Sequence, residues 1–448
     1  MAPERAHVFG LGASGRAAAK LLLKQGWAVI ISDDQDTPEL RETRRELTVL
    51  GAKVFLGGHD EALREQVDLA VVSPGIAPSL RCITSRRLEG VEVVGELELG
   101  FWFTRGLAAA VTGTNGKSTV TALLGAIFKA TGQRCFTCGN IGLALSDVAL
   151  QTDGGSLLAI EVSSFQLVTI RIFRPRVSVL LNVTPDHLNW HGGFGEYKKA
   201  KSLIWKNQGK GDFVVYDYDN PVARELVKSV NNGALTMPFS IVEELPAGGF
   251  AREDRIIVRC RDGKRFEAPR ALIHIPGRHN LSNVLAAATA AFCLSVSPEA
   301  IRRGIDGFQG LPHRLEFIRE LDGVEYRNDS KATNVDSGRC ALEAMNRPVV
   351  LIAGGRGKGG GFRDLRALVR EKVQHLVLLG ECANEIAQDL EGLTTVEFAD
   401  TLADAVQKAR QAAVPGDVVL LSPLAASFDM FRNFEDRGDQ FRQLVMGL

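Results

Sequence analysis

The stretch Thr112-Gly-Thr-Asn-Gly-Lys-Ser-Thr119 decides how the rest of this chain is read. Before it, Leu107–Thr112 has the apolar make-up of a buried strand. After it, Val120, Leu123, Leu124, Ile127 and Phe128 fall at helical spacing on one face. Strand, glycine-rich loop and helix in that order aim backbone N–H groups at one locus, where a phosphate chain can be held. On this reading Gly113, Thr114, Asn115 and Gly116 cradle the phosphates and Lys117 neutralises them. A hydroxyl of Ser118 or Thr119 ligates Mg²⁺. The loop departs from the standard P-loop, because Val111 stands where the first glycine belongs. An ordinary glycine turn is the competing reading, and Gly116-Lys117-Ser118 argues against it.

Downstream, Leu157–Val162 reads as a strand with Glu161 near its end, followed by Ser163-Ser-Phe-Gln166. A carboxylate at the C-terminal end of a neighbouring parallel strand is placed to take a metal, and an exposed strand-end acid is the alternative. The next strand, Val177–Val183, runs into Asn182-Val-Thr-Pro-Asp-His187. His187 beside Asp186 can orient a metal, a water or a phosphate, or be purely structural. The alanine-rich helix Asn283–Leu294 and a short helix after Pro298 close this unit.

Upstream, Ala6–Phe9, Ala28–Ser32, Val54–Leu56 and Leu69–Ser73 read as buried parallel strands between helices starting near Ser14, Pro38 and Ser79. Gly10-Leu-Gly-Ala-Ser-Gly15 sits at the first strand-to-helix turn, with Asp33 and Asp34 about twenty residues on. A nucleotide at the helix N-terminus and a glycine turn needed only for packing both fit this pattern. Beyond residue 310, Glu316–Glu320 and Val324–Arg327 resemble a hairpin around Asp322-Gly323. Pro348–Ala353, His375–Leu379 and Asp417–Ser422 read as buried strands. Cationic loops after these strands, Gly354–Gly361 among them, suggest a second anionic ligand or are simply solvated charge. The expected fold is therefore α/β in three domains: a Rossmann-like 1–97, a P-loop-type, mostly parallel 98–310, and a Rossmann-like 311–448.

Length and composition agree, since 448 residues at roughly 150 per domain suggest about three. Lys+Arg and Asp+Glu are both 53, a balance that argues against a nucleic-acid-coating protein. The N-terminus has no basic-then-apolar leader, and no apolar run is long enough to span a membrane, so a cytoplasmic protein is expected. The seven cysteines are scattered, and Cys135-Phe-Thr-Cys138 lacks a second pair for zinc, so buried or incidental thiols are expected.

Taken together these motifs resemble the Mur ligase family of peptidoglycan synthesis. Thr112–Thr119 matches its TGTNGKST loop, Glu161–Gln166 its E-x-S-S-F-Q segment and Asn182–His187 its N-x-T-x-D-H. Pro276–Asn280 matches its G-x-H-N, Leu311–Glu316 its L-P-H-R-x-E and Asn328–Asn334 its N-D-S-K-A-T-N. The run Leu421–Gly438 is similar to the D-glutamate-adding members, and the D-N-P-R motif of the diaminopimelate-adding ones is absent from the C-terminal region. The resemblance implies an ATP-dependent ligase using Mg²⁺, expected as two ions, with UDP-N-acetylmuramoyl-L-alanine and D-glutamate as small-molecule substrates. A monomer is expected. It implies that Lys117, Glu161, His187 and Lys201 serve catalysis, and that Asn283, Arg314, Asp329 and Lys331 join Gly113–Thr119 at ATP. Gly12, Ser14, Asp33, Asp34, Gly75, Asn140 and His187 would meet the UDP substrate. Thr333, Lys358, Ser427, Phe428 and Phe434 would surround D-glutamate. Ser118, Glu161, His187 and a carbamylated Lys201 would hold metal, although Tyr197-Lys-Lys-Ala-Lys201 by itself also reads as an exposed lysine face. Two positions depart from the family pattern: Arg356, where relatives often have Asp, and Phe428, where they often have Leu.

Two other classes fit fewer of these residues. A NAD-dependent dehydrogenase would explain Gly10–Gly15 but give Lys117 and Glu161 no role. A regulatory P-loop ATPase would turn over ATP without an acceptor amine. Within the class, the alternative is another ATP-dependent amide ligase, such as a different Mur ligase or a folylpolyglutamate synthase.

Overall fold

The computed structural model describes residues 4–77, 79–357, 359 and 361–448. The chain forms two compact units, residues 1–272 with 282–307, and 273–281 with 308–448. Three α/β sheets organise them, and the sequence-read boundaries near 97 and 310 both fall between sheets.

The first sheet consists of β1 (Arg5–Phe9), β2 (Ala28–Asp33), β3 (Lys53–Leu56), β4 (Leu69–Val72) and β5 (Glu92–Gly95). Its order is β3-β2-β1-β4-β5, all parallel. The chain winds outward from β1 to β3 and then crosses over to β4. The crevice beyond the ends of β1 and β4 is thus the switch point at which such sheets bind ligands.

The second sheet, in the same unit, holds β6 (Leu107–Thr112), β7 (Cys135–Gly139), β8 (Leu157–Glu161), β9 (Val177–Leu180), β10 (Phe213–Asp217), β11 (Leu235–Ser240), β12 (Gly248–Arg252), β13 (Arg255–Arg259) and β14 (Arg265–Pro269). Its order is β14-β13-β12-β11-β10-β9-β6-β8-β7, antiparallel only from β12 to β14. The strand β6 lies between β8 and β9, so the loops after all three emerge side by side. Helix Lys117–Ala130 follows β6 and buries Val120, Leu123, Leu124, Ile127 and Phe128, the face read from the sequence. Each such side chain contributes about 2 kcal/mol when taken from water.

In the second unit β15 (Glu316–Leu321) and β16 (Val324–Asn328) form the expected hairpin. They continue into a parallel set of β17 (Val349–Gly354), β18 (Val373–Leu379), β19 (Thr395–Phe398) and β20 (Val418–Leu421), in the order β15-β16-β20-β17-β18-β19. Helices pack on both faces, with cores around Leu351, Leu376 and Leu420 on one side and Val350, Ile352 and Val419 on the other.

Several expected spans needed correction. The strand read as Val177–Val183 ends at Leu180, because Asn182 leaves the ladder and turns its side chain to the glycine loop. The helix read as Asn283–Leu294 begins five residues earlier, at Arg278. Strands β5, β7, β10–β14 and β19 were not read from the sequence. In β12–β14 the strands are only five residues long and carry arginine at their ends, which shortens each apolar run and weakens the hydrophobic signal. No helix among the described residues is long and apolar enough to cross a membrane.

Candidate active site

The glycine loop is built as its sequence implies. Gly116 has φ +86°, a left-handed conformation at the start of helix Lys117–Ala130. A Cβ there would sit 2.5 Å from Asn283 Oδ1, so Asn283 packs directly against the loop. The loop is also tied down from β9: the Asn115 N–H donates to Asn182 Oδ1 at 2.8 Å, and Asn182 Nδ2 donates to Asn115 O at 3.1 Å. Thr114 Oγ1 donates to Thr184 O at 3.1 Å and lies 3.1 Å from the Tyr197 hydroxyl. Lys117 folds back over the loop and donates to the carbonyls of Gly113 (2.9 Å) and Thr114 (2.8 Å). Ser118 and Thr119 are buried in the first helical turn.

Glu161 ends β8 beside Val111 and is only 2% exposed. Its Oε1 accepts from Asn140 Nδ2 at 2.9 Å, while the buried Oε2 has no hydrogen-bond partner. A buried carboxylate oxygen left open is costly unless a cation meets it, so Glu161 fits a Mg²⁺ ligand. Lys201 is 1% exposed and donates to Gly113 O at 2.7 Å. Its Nζ lies 4.5 Å from the Tyr197 ring centroid. Burial, and then the charge of Lys117, lower its pKa well below the usual lysine range. His187 sits in a left-handed conformation (φ +51°), 3.6 Å from Asp186 and edge-on to Phe165. Among the described residues no three His, Cys, Asp or Glu side chains converge as a ready-made metal cage. The hydroxyl and the lysine of the expected ligand set are thus the parts on which a complete site depends.

A cleft of about 520 Å³ opens at the switch point of the first sheet, a volume typical of small-molecule sites. Gly12, Ser14, Asp33, Asp34, Gly75 and Asn140 all line it, so six positions read from distant motifs meet in one place. His187, the seventh, is not among its lining residues. The glycine pattern serves packing as well as space, because a Cβ on Gly15 would lie 1.9 Å from Gly10 O. The two acids divide their work. Asp33 accepts from the Leu11 N–H (2.7 Å) and the Gln35 N–H (3.0 Å), fixing the turn, while Asp34 is exposed at the rim. His59 and Gln166 also line the cleft. Gln166 lies inside a motif already singled out, whereas a lone histidine after Gly57-Gly58 gave no signal of its own.

In the second unit Asp329 is buried. It accepts from the Leu315 N–H (3.1 Å) and the Ser422 hydroxyl (3.1 Å), and burial pushes its pKa up to about 7. Lys331 Nζ stands 3.6 Å over the Phe434 ring. Arg314 precedes the Leu315 N–H that holds Asp329, and Thr333 follows in the same segment as Lys331. Ser427 is buried, whereas Phe428 is 64% exposed. The loops after β17 and β20 are zipped together by paired backbone bonds between Arg356 and Ala426 (2.8 and 3.0 Å). The Arg356 guanidinium, one of the departures from the family pattern, pairs with Glu381 at 3.0 Å. Lys358 lies outside the described residues. Cys135 and Cys138 lie on β7, and the Cys138 thiol is pushed up to about 12 by burial.

Comparison with known proteins places these features in one family. Residues 4–95 match the Mur ligase MurD-like N-terminal domain, 111–291 the Mur ligase middle domain, and 313–424 the Mur ligase glutamate ligase domain. A UDP-N-acetylmuramoylalanine–D-glutamate ligase of Pelotomaculum thermopropionicum is 42% identical over 98% of this chain and 97% of its own. One of Salinibacter ruber is 43% identical over the same shares. The solved UDP-N-acetylmuramate-alanine ligase of Thermotoga maritima shares the fold at a TM-score of 0.62 and 17% identity, covering 99% of both chains. With likeness running from the first sheet through the last, the chain belongs to the Mur ligase family.

Proposed function

We propose that this chain is an ATP-dependent ligase that joins D-glutamate to UDP-N-acetylmuramoyl-L-alanine in cytoplasmic peptidoglycan precursor synthesis. It would work through three domains, 1–97, 98–310 and 311–448, that take the UDP substrate, ATP and the amino acid in turn. The observation that carries the reading is the presence of Lys117, folded over the glycine loop, together with a carboxylate oxygen of Glu161 left open at the end of the adjoining strand.

The chemistry requires both. A carboxylate is a poor acyl electrophile, so its carbon must first gain a leaving group. An oxygen of the alanyl carboxylate attacks the γ-phosphorus of ATP, ADP departs, and an acyl phosphate forms. The neutral amine of D-glutamate attacks the acyl carbon. The tetrahedral adduct loses the amine proton and expels inorganic phosphate, leaving the amide. Lys117 meets the phosphate charge during transfer, and the N–H groups of Gly113–Thr119 hold the chain being cut. Bound Mg²⁺ would offset phosphate charge, held by Ser118, Glu161, His187 and a carbamylated Lys201. Asn140 orients Glu161 through its side-chain amide. Asn283, Arg314, Asp329 and Lys331 complete the ATP site, and Thr333, Lys358, Ser427, Phe428 and Phe434 the D-glutamate site.

The test is ADP release in the presence of Mg²⁺. Turnover is expected only when UDP-N-acetylmuramoyl-L-alanine and D-glutamate are both present. Equal ADP formation with L-glutamate, or with no acceptor, would overturn the proposal.

A further inference from the structure

Under the floor of the cleft a buried chain of polar side chains ends at His59. Arg86 and His7, both essentially buried, lie 3.2 Å apart through Arg86 Nη2 and His7 Nδ1. His7 Nε2 is 2.7 Å from Ser32 Oγ, and Ser32 Oγ is 2.7 Å from His59 Nδ1. Arg86 is anchored by the same Nη2, which also donates to the Ala62 carbonyl (2.9 Å), and by Nη1, which donates to Glu89 (2.9 Å).

Proton positions along this chain are fixed by elimination. A guanidinium only donates, so His7 Nδ1 must accept from Arg86. Burial first, and then the Arg86 charge, drive the His7 pKa down to about 2, so its imidazole is neutral and carries its single proton on Nε2. That N–H donates to Ser32 Oγ. Ser32 is 0% exposed, and His59 Nδ1 is the acceptor within reach of its hydroxyl proton. Ser32 therefore donates to His59 Nδ1, which leaves Nε2, the ring nitrogen away from the chain, to carry the ring's N–H. His59 lines the cleft beside Gly12, Ser14 and Gly75.

We infer that His59 is a substrate-positioning residue whose Nε2–H, held in one tautomer by Ser32, His7 and Arg86, donates to an oxygen of the nucleoside diphosphate bound in this cleft. The inference deepens the proposed function and rests on its reading of the cleft as the UDP site. The advantage of a locked donor is that no tautomer exchange or ring flip is needed on binding, so less ordering cost is met when the ligand arrives. Asp33 and Asp34 at the same cleft supply only acceptors, so the donors for diphosphate oxygens come from the other lining groups, His59 among them.

The experiment uses the full-length chain with UDP as the probe, read by calorimetry, together with nitrogen NMR of ¹⁵N-histidine-labelled protein. Wild type should show His59 as the Nε2–H tautomer with Nδ1 accepting, and Ser32→Ala should mix the two tautomers. His59→Ala should weaken UDP binding about tenfold or more, the loss of one hydrogen bond to a charged group. His59→Gln, which keeps an N–H at similar reach, should recover most of it. An Nδ1–H tautomer in wild type overturns the inference without any binding measurement. Wild-type UDP affinity in His59→Ala overturns the assignment of His59 alone. No UDP binding by wild type overturns the nucleotide reading of the cleft and the ligand given to His59 with it.

Discussion

Lys201 and Lys117 share one acceptor: both ammonium groups donate to the carbonyl oxygen of Gly113, at 2.7 and 2.9 Å. Burial first, and then repulsion from the second cation on the same oxygen, drives Lys201 toward its neutral form. A neutral amine is also the form that reacts with CO₂. Carbamylation would replace a repelled cation with a carboxylate-like group facing the glycine loop.

Lys201→Ala is therefore expected to lose most activity and regain part of it with added short-chain carboxylates. Lys201→Arg cannot form the carbamate and should stay inactive. Steady-state ADP release checks both, and full activity in the arginine variant would show that the side chain serves packing alone.

Lys117→Ala should reduce turnover about a hundredfold or more while leaving UDP binding close to wild type. Its ammonium lies on the glycine loop, whereas the UDP cleft is lined from other segments, and losing an electrostatic clamp on transferring phosphate costs on this scale. Parallel measurements of kcat and UDP affinity separate the two effects. A variant retaining half its turnover would contradict the phosphate role.

Ser427→Ala and Lys358→Ala should raise the KM for D-glutamate, each by roughly tenfold, the loss of one hydrogen bond or charge contact to a carboxylate. The KM for ATP should stay near its starting value. Ser427 is buried beside the zipped Arg356–Ala426 pair, where a hydroxyl can be held toward an anion. An effect on ATP alone would move both residues to the nucleotide site.

Acid should weaken the first unit through His7. Its folded pKa of about 2 lies far below its unfolded value of 6.5. Between those values the unfolded chain binds a proton that the folded one refuses, so stability is lost as pH falls below about 6.5. The loss attributable to His7 should reach about 2 kcal/mol by about pH 5. Glu96 and Asp329, both pushed up to about 7 by burial, act in the opposite direction and lose stability as pH rises toward that value. Comparing wild type with His7→Gln by urea unfolding at neutral pH and about pH 5 isolates the histidine. Equal pH slopes in the two chains would show that His7 does not carry the effect.

The sequence by itself determined the parts whose signal is local. The strand Leu107–Thr112, the glycine-rich loop after it and the apolar face of helix Lys117–Ala130 follow from residue type and spacing, because backbone sterics and a 3.6-residue period act over a few positions. The motif at Gly10–Gly15 was legible too, but not whether it served a nucleotide or only packing. Tertiary structure decided what each polar side chain meets. It buried Lys201 while leaving its neighbour Lys199 exposed, tied Asp33 to backbone amides, and left one oxygen of Glu161 open. It joined His7, Ser32 and His59, which stand on one strand, the next, and a loop after the third. Desolvation and hydrogen-bond partnership come from residues dozens of positions away, brought together only when parallel strands align their ends, so no local pattern encodes them.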